Sequence, residues 1–265
     1  MSDTLKDIIT VAVVTYESSW GDKPKNINRM SGYVQAAAAR GANLVLFPET
    51  ALIGYDLDTE NVGDSRMHVR LAETFPGPSA EVFAKLASEY NIYIVYGYAE
   101  KCDDLKVGTN TGSKIDSAVD FATSPKIYNA AAVVGPKGLI GSYKKMHLPF
   151  SESTWCERGD TPFMFDTEWG KIGISICYDT FVFTELMRYY RASGCRLHLN
   201  PCAVNTFVTA QNIKDAVEFQ SANNSIYIAS ANNTGCYKSD DFVGGSHIIG
   251  PSKNVPAIHY YAGSA

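Results

Sequence analysis

Twice along the chain a short apolar run leads into an amphipathic helix and then into a second apolar run that ends abruptly in polar residues. The first instance spans residues 8 to 49 and the second residues 171 to 205. Ile8-Ile-Thr-Val-Ala-Val-Val-Thr15 is β-branched and apolar on both faces, which predicts a strand in a central position. The turn Gly21-Asp-Lys-Pro24 leads to a helix expected from about Asn26 to Arg40, with Ile27, Met30, Val34 and Ala38 on its buried face and Gly41 closing it. Ala42 to Leu46 reads as the next strand. In the second instance Ile172, Ile174 and Ile176 alternate with Gly173 and Ser175 in a strand that ends at Cys177. Phe183 to Ala192 is then expected as a helix, and Arg196 to Asn200 as a strand. A strand, a crossover helix and a second strand form a unit that pairs its strands in parallel. Two such units hint at an internal pseudo-twofold, although the residues themselves do not repeat.

Between and after these units the spacing predicts a helix over Ser79–Glu89, a strand over Ile92–Tyr98 and a hairpin of Ile127–Val134 with Leu139–Tyr143. Phe163–Phe165 and Ile226–Ser230 read as strands, Ala210–Asn223 as a helix, and Gly244–Pro251 as a late strand and turn. Residues 54 to 68 are expected to loop over the sheet edge, and the polar stretch 100 to 124 to form an excursion between strands. Some strands are thus joined by helices and others by hairpins. That implies an α/β chain with mixed sheets covered by helices, the two sheets face to face and the helices outside. No low-complexity linker divides it, so residues 1–265 are read as one domain.

Composition narrows the function classes. The net charge is -5 and the basic residues are scattered, so nothing favours nucleic acid or an anionic membrane as partner. No run approaches the ~20 apolar residues of a membrane span, and the first ten residues hold no signal-like apolar block, which makes a cytoplasmic location the expectation. The six cysteines include no CxxC pair, so they are read as free thiols without a metal site, one of them reactive.

Three strand ends carry groups that together suit acyl chemistry. Phe47-Pro-Glu49-Thr50 follows the strand at Leu46, Tyr143-Lys-Lys145-Met-His147-Leu-Pro149 follows the hairpin, and Cys177-Tyr-Asp179 follows Ile176. Open α/β sheets place their chemistry at carboxyl strand ends. Cys177 is the candidate nucleophile, and Lys145 as an ammonium would favour its thiolate. Glu49 can take the thiol proton and return it to a leaving amine. Lys145 and the backbone N–H of Tyr178 can hold the oxyanion of a tetrahedral intermediate.

These three blocks, in this order and with these lead-in residues, resemble the nitrilase superfamily of carbon-nitrogen hydrolases from the first strand to about Pro251. The resemblance implies a four-layer αββα sandwich that pairs into dimers or larger homo-oligomers. It also implies Glu49 as general base, Lys145 as oxyanion-stabilising lysine and Cys177 as nucleophile forming a thioester, with no cofactor. A second glutamate is implied after the lysine block; Glu152 fits best and Glu157 less well. His147 is expected to hold the lysine loop by hydrogen bonds.

Members that hydrolyse nitriles typically carry Trp after the cysteine, whereas Tyr178 here is common among amidases and carbamoylases. The expected substrate is therefore a small linear amide or N-carbamoyl compound, with a nitrile, or a catalytically silent scaffold, as the alternatives. Tyr55, Trp155, Tyr178 and Asn205 are the expected pocket walls. Two departures from the family pattern stand out. Asp179-Thr-Phe-Val-Phe-Thr-Glu185 carries one extra residue and lacks a proline, so the turn beside the nucleophile should be altered. Gln220-Ser-Ala-Asn-Asn224 replaces an Arg–Glu pair by amides.

Overall fold

The structure, a computed structural model, describes residues 5–55, 66–102, 125–149, 152–237, 240–251 and 259–264. The expected loop at 54–68 and the excursion at 100–124 fall largely outside these residues. The first half of the chain builds strand β1 (Val11–Val13), helix α1 (Lys23–Ala39), strand β2 (Leu44–Leu46), helices α2 (Met67–Leu71) and α3 (Pro78–Tyr90), and strands β3 (Tyr93–Cys102), β4 (Lys126–Gly135) and β5 (Gly138–Lys144). They form one sheet in the order β1-β2-β3-β4-β5, parallel across the first three strands and antiparallel across the rest.

The second half builds β6 (Phe163–Thr167), β7 (Gly170–Ile174), α4 (Tyr178–Val182), α5 (Thr184–Ala192), β8 (Leu197–Cys202), α6 (Ala210–Asn224) and β9 (Tyr227–Asn232). A short hairpin of β10 (Thr234–Tyr237) and β11 (Asp240–Val243) follows, then β12 (His247–Pro251) and β13 (His259–Ser264). The second sheet runs β13-β12-β9-β8-β7-β6, with β7, β8 and β9 parallel.

Side-chain alternation assembles the layers. In β2, Leu44 and Leu46 join the apolar layer between the sheets, together with Val95, Ala131 and Val133 and with Ile172, Ile174 and Ile176 from the second sheet. Val45 points the other way, into a layer with Met30 and Val34 of α1 and Phe83 of α3. A one-residue slip in register would exchange these two sets, so burial on both faces fixes the pairing. On the second sheet Gly173 faces the helices, where the Tyr190 ring lies 2.8 Å from the place a Cβ would occupy. The two mixed sheets and their outer helices are the expected sandwich.

Three expectations change. β1 is an edge strand, not a central one; its apolar character on both faces serves the two layers it separates, not two flanking strands. α1 begins three residues earlier than the spacing suggests, because the Asp22 carboxylate accepts the Lys25 N–H at 3.1 Å and Pro24 suits a first helical turn. The expected helix at 183–192 is preceded by the short α4, which starts directly after Cys177, with Phe183 in extended conformation between the two.

The halves match beyond the expected hint. Val13 pairs with Leu46 in the first sheet as Ile174 pairs with Leu199 in the second. Gly41 and Gly194, both at positive φ, stand before β2 and β8, and Asn91 and Ser225, both left-handed, end α3 and α6 before β3 and β9.

Candidate active site

Glu49, Lys145 and Cys177 leave the carboxyl ends of β2, β5 and β7, and the two sheets facing each other bring those ends together. Lys145 Nζ lies 2.7 Å from Glu49 Oε1 and 2.6 Å from Glu152 Oε1, with all three side chains buried. Glu152 comes from a 3-10 turn, Glu152–Thr154, and Glu157 is exposed and away from the lysine. The second carboxylate is therefore Glu152. Asn129 of β4 donates from Nδ2 to Glu49 Oε1 at 2.7 Å and to Glu152 Oε2 at 3.3 Å. Tyr55 O–H donates to Glu152 Oε1.

Two carboxylates thus share one buried ammonium and two neutral donors. Burial works against the Lys145 charge, but Glu152 and Glu49 outweigh it and hold the ammonium well above its usual range. Burial pushes the Glu152 carboxyl up, Lys145 pulls it down and Glu49 pushes it up again, leaving it at about 7. Burial likewise holds Tyr55 well above its ordinary value, with Glu152 adding to it, so its proton stays to be donated. The other oxygen of Glu49, Oε2, is buried without a hydrogen-bond partner among the described residues.

Burial and then Glu49 raise Cys177 well above the ordinary thiol value, and the opposing pull of Lys145 and the Ala203 backbone N–H does not offset them. Lys145 favours the thiolate as expected, but burial and Glu49 outweigh it in this site. The thiol keeps its proton until a base removes it.

The backbone around each group is constrained. Cys177 sits at φ 50° and ψ -106°, a positive-φ conformation outside the left-handed helical well that a non-glycine residue enters at a cost, and it turns the chain sharply from β7 into α4. Its N–H is shared by Asn200 Oδ1 and Pro201 O, each at 2.9 Å, and Asn200 is fixed in turn by donating to Ser230 Oγ at 2.9 Å. The N–H of Tyr178, at the first position of α4, has no acceptor among the described residues and is the free donor at this elbow. On the other side, Gly97 N–H donates to Pro48 O at 3.0 Å and Asn233 Nδ2 to Glu49 O at 2.9 Å. A Cβ at Gly97 would lie 2.3 Å from Thr50 N, so only glycine lets β3 approach the turn that carries the base.

His147 has the expected structural place. Its ring stacks on Phe183, centroids 3.6 Å apart, and its N–H and Nδ1 both meet Asp179 Oδ1 at 2.8 Å. The altered turn after the nucleophile therefore spends its Phe183 on the lysine loop. Asn224 Nδ2 donates to Gln220 O and Oε1, the amide pairing expected there.

The four expected pocket walls divide. Tyr55 is at the centre of the cluster. Tyr178 is half-buried, with its ring edge-on to Phe183 beside the elbow. Trp155 instead stacks on His68 at 4.0 Å and belongs to the layer behind the first sheet. Asn205 bridges to Phe242 and accepts its own loop's Phe207 N–H at 3.3 Å, so its amide closes a turn. Two residues went unpredicted: Asn129, a lone amide in an otherwise apolar strand, and Asn200. A cavity of about 340 Å³ opens at the amino ends of β7 and β8 against Ile8, Trp169, Leu197 and Tyr227, at the opposite end of the strands from the Glu49–Lys145–Cys177 cluster. Among the described residues no cluster of His, Cys, Asp and Glu could hold a metal ion, and no helix is long and apolar enough to cross a membrane.

A sequence profile described as carbon-nitrogen hydrolase matches residues 10–257. The chain belongs to the carbon-nitrogen hydrolase family, in the nitrilase superfamily. It is 29% identical over 251 residues to a protein named nitrilase from Pyrococcus abyssi, covering 94% of this chain and 84% of that one. It is 28% identical over 219 residues to the omega-amidase NIT2 of Homo sapiens, covering 79% and 69%. Among solved structures it superposes on Saccharomyces cerevisiae Nit3, a member of branch 10 of the nitrilase superfamily, with a TM-score of 0.78 at 23% identity over 99% of this chain and 87% of that one. This carbon-nitrogen hydrolase therefore has the fold of its superfamily.

Proposed function

We propose that this hydrolase cleaves the carbon–nitrogen bond of a small linear amide or N-carbamoyl compound through a thioester on Cys177, releasing ammonia. The observation that carries the reading is Glu49: one of its oxygens is held on Lys145 and Asn129, and the other is buried and unpartnered beside a thiol that still has its proton. Sulfur attacks the carbonyl carbon as Glu49 takes the thiol proton, so no free thiolate has to be formed in a buried, carboxylate-rich site. The oxyanion falls to the Lys145 ammonium and the Tyr178 N–H. Glu49 passes the proton to the departing nitrogen as the carbon–nitrogen bond breaks. Water, its proton taken by Glu49, then splits the thioester to a carboxylic acid, or the corresponding thiocarbamate to a carbamic acid that breaks down to carbon dioxide and ammonia, and returns the thiol. Glu152 balances Lys145 from the far side and keeps it in place between attack and release.

The test is ammonia release from a panel of aliphatic amides, ω-amides, N-carbamoyl amines and nitriles, with acid-quenched protein weighed intact. Turnover of amides or carbamoyl compounds, an acyl adduct on the wild type and neither in Cys177→Ala is the expected result. A nitrile substrate is favoured by the name of the Pyrococcus relative and disfavoured by Tyr178. Turnover of nitriles alone would establish it in place of the amide reading.

A further inference from the structure

We propose that Asp179 is a positioning residue that holds the oxyanion-binding lysine at its working distance from the nucleophile; this rests on the roles given to Lys145 and Cys177 above. Asp179 is fully buried at the second position of α4, two residues after Cys177. Among the described residues every hydrogen bond of its carboxylate goes to the end of β5 and the lysine loop. Oδ2 accepts Tyr143 O–H at 2.6 Å and Met146 N–H at 3.3 Å, and Oδ1 accepts His147 N–H and His147 Nδ1–H, each at 2.8 Å. The carboxylate partner assigns the histidine proton to Nδ1.

These donors bracket Lys145. Its own N–H donates to Asn129 O and its carbonyl accepts from Gly159 N–H, each at 2.8 Å, which ties the lysine to the first sheet and the following loop. Nothing in those two bonds relates it to the second sheet, where the cysteine is. Asp179 supplies that relation: one carboxylate on the elbow of the second half grips both peptide N–H groups after the lysine. Four donors on two oxygens fill the acceptor capacity of a carboxylate. An amide of the same shape would turn an NH₂ toward Tyr143 and Met146 and release that edge of the loop. Misplacing a reacting group by about 1 Å can cost on the order of 100-fold in rate.

The test compares two reagents on Cys177, followed by peptide mass. As sulfur adds to acrylamide, its carbonyl oxygen gains charge and needs Lys145. Methyl methanethiosulfonate has no carbonyl and reports only the access and ionisation of the thiol. In Asp179→Asn, acrylamide addition and kcat are expected to fall about 10- to 100-fold, with KM and the thiosulfonate rate within about threefold of wild type. Tyr143→Phe should shift the same way by less. Both reagents slowing together would show a merely structural role and overturn the proposal, as would unchanged acrylamide addition in folded Asp179→Asn. If that variant does not fold, Tyr143→Phe decides by the same criterion. Wild-type acrylamide addition no faster than in Lys145→Ala would instead sink the role given to the lysine.

Discussion

Val13 and Leu46 in the first half stand where Ile174 and Leu199 stand in the second, and the match continues past the strand ends. Counting on from those pairs, Phe47-Pro48-Glu49 corresponds to Asn200-Pro201-Cys202, and Tyr16 to Cys177. Each half has two matching strand ends, and the candidate residues follow a different one in each. The first has Glu49 after β2, where the second has the fully buried Cys202. The second has Cys177 after β7, where the first has Tyr16, whose hydroxyl donates to Asn26 Oδ1 at 3.0 Å. On the roles proposed for Glu49 and Cys177, a shared frame makes the openings, and single residues at the ends of strands decide which of them becomes reactive.

The sharpest way to break this comparison is to treat the counterparts alike. Cys177→Ala is expected to lower amide turnover by at least about 10⁴-fold, since nucleophile and base act as a unit. Tyr16→Phe should leave turnover within about threefold and cost about 1 kcal/mol of stability through the lost hydrogen bond, read by urea denaturation. Equal losses of activity at both positions would mean that the correspondence stops at the backbone.

A smaller effect separates the carboxylates. Glu152 titrates at about 7, so kcat/KM should fall as pH drops through 7 and the second charge holding Lys145 is lost. Tyr55→Phe removes a donor that favours the ionised form, which raises that carboxyl further. The acid limb of the pH–rate profile should therefore move to higher pH, and Glu152→Gln should abolish the limb while leaving the protein folded.

Much of this site was readable from residue order, because Glu49, Lys145 and Cys177 each follow a strand within a dense local pattern, while Glu152 came only from the family resemblance. What escaped reading was whatever depends on two strands meeting. Asn129 looks like a flaw in Tyr-Asn-Ala-Ala-Ala-Val-Val until β4 is placed beside β2's exit and the 3-10 turn; a buried amide in a fully apolar strand was the available signal. The upward shift of Cys177 against the pull of Lys145 comes from burial and two neighbouring carboxylates, which are properties of the assembled site. Trp155 and Asn205 have the chemistry of pocket walls, but stacking on His68 and closure of a local turn claim them first. The hairpin of β10 and β11 has only four residues per strand and no alternation to betray it.

The first half buries His68 and the second buries His198 and His247. Burial lowers His68 in the first and His198 in the second to about 3. The unfolded chain binds those protons below about pH 6.5, and the folded one does not until about 3. Stability from each is thus complete above 6.5 and is lost as pH falls through that window, by about 1.4 kcal/mol per unit per histidine. His198→Gln should flatten this slope by half of the two-histidine contribution, measured as urea midpoints from pH 7 to 4.

The smallest test is of the frame itself. Asn91 and Ser225 hold matching left-handed positions, both exposed. Ser225→Gly should stabilise the protein by about 0.5 to 1 kcal/mol, and Asn91→Gly by less, since asparagine already tolerates that conformation. Differential calorimetry resolves the difference, and a reversed order would show that the two corners are not equivalent.

The close approach at Gly97 has a consequence for how the protein breathes. Its N–H and carbonyl hold Pro48 O and Leu52 N–H, so the turn that presents the base is sewn into the ladder of β3. The amide protons of Gly97 and Leu52 should therefore exchange with solvent only when the whole sheet opens, as slowly as the most protected core amides. An enzyme built this way has no partly open form in which the base swings aside while the fold persists. Glu49 therefore stays fixed for as long as the ladder of β3 stays paired.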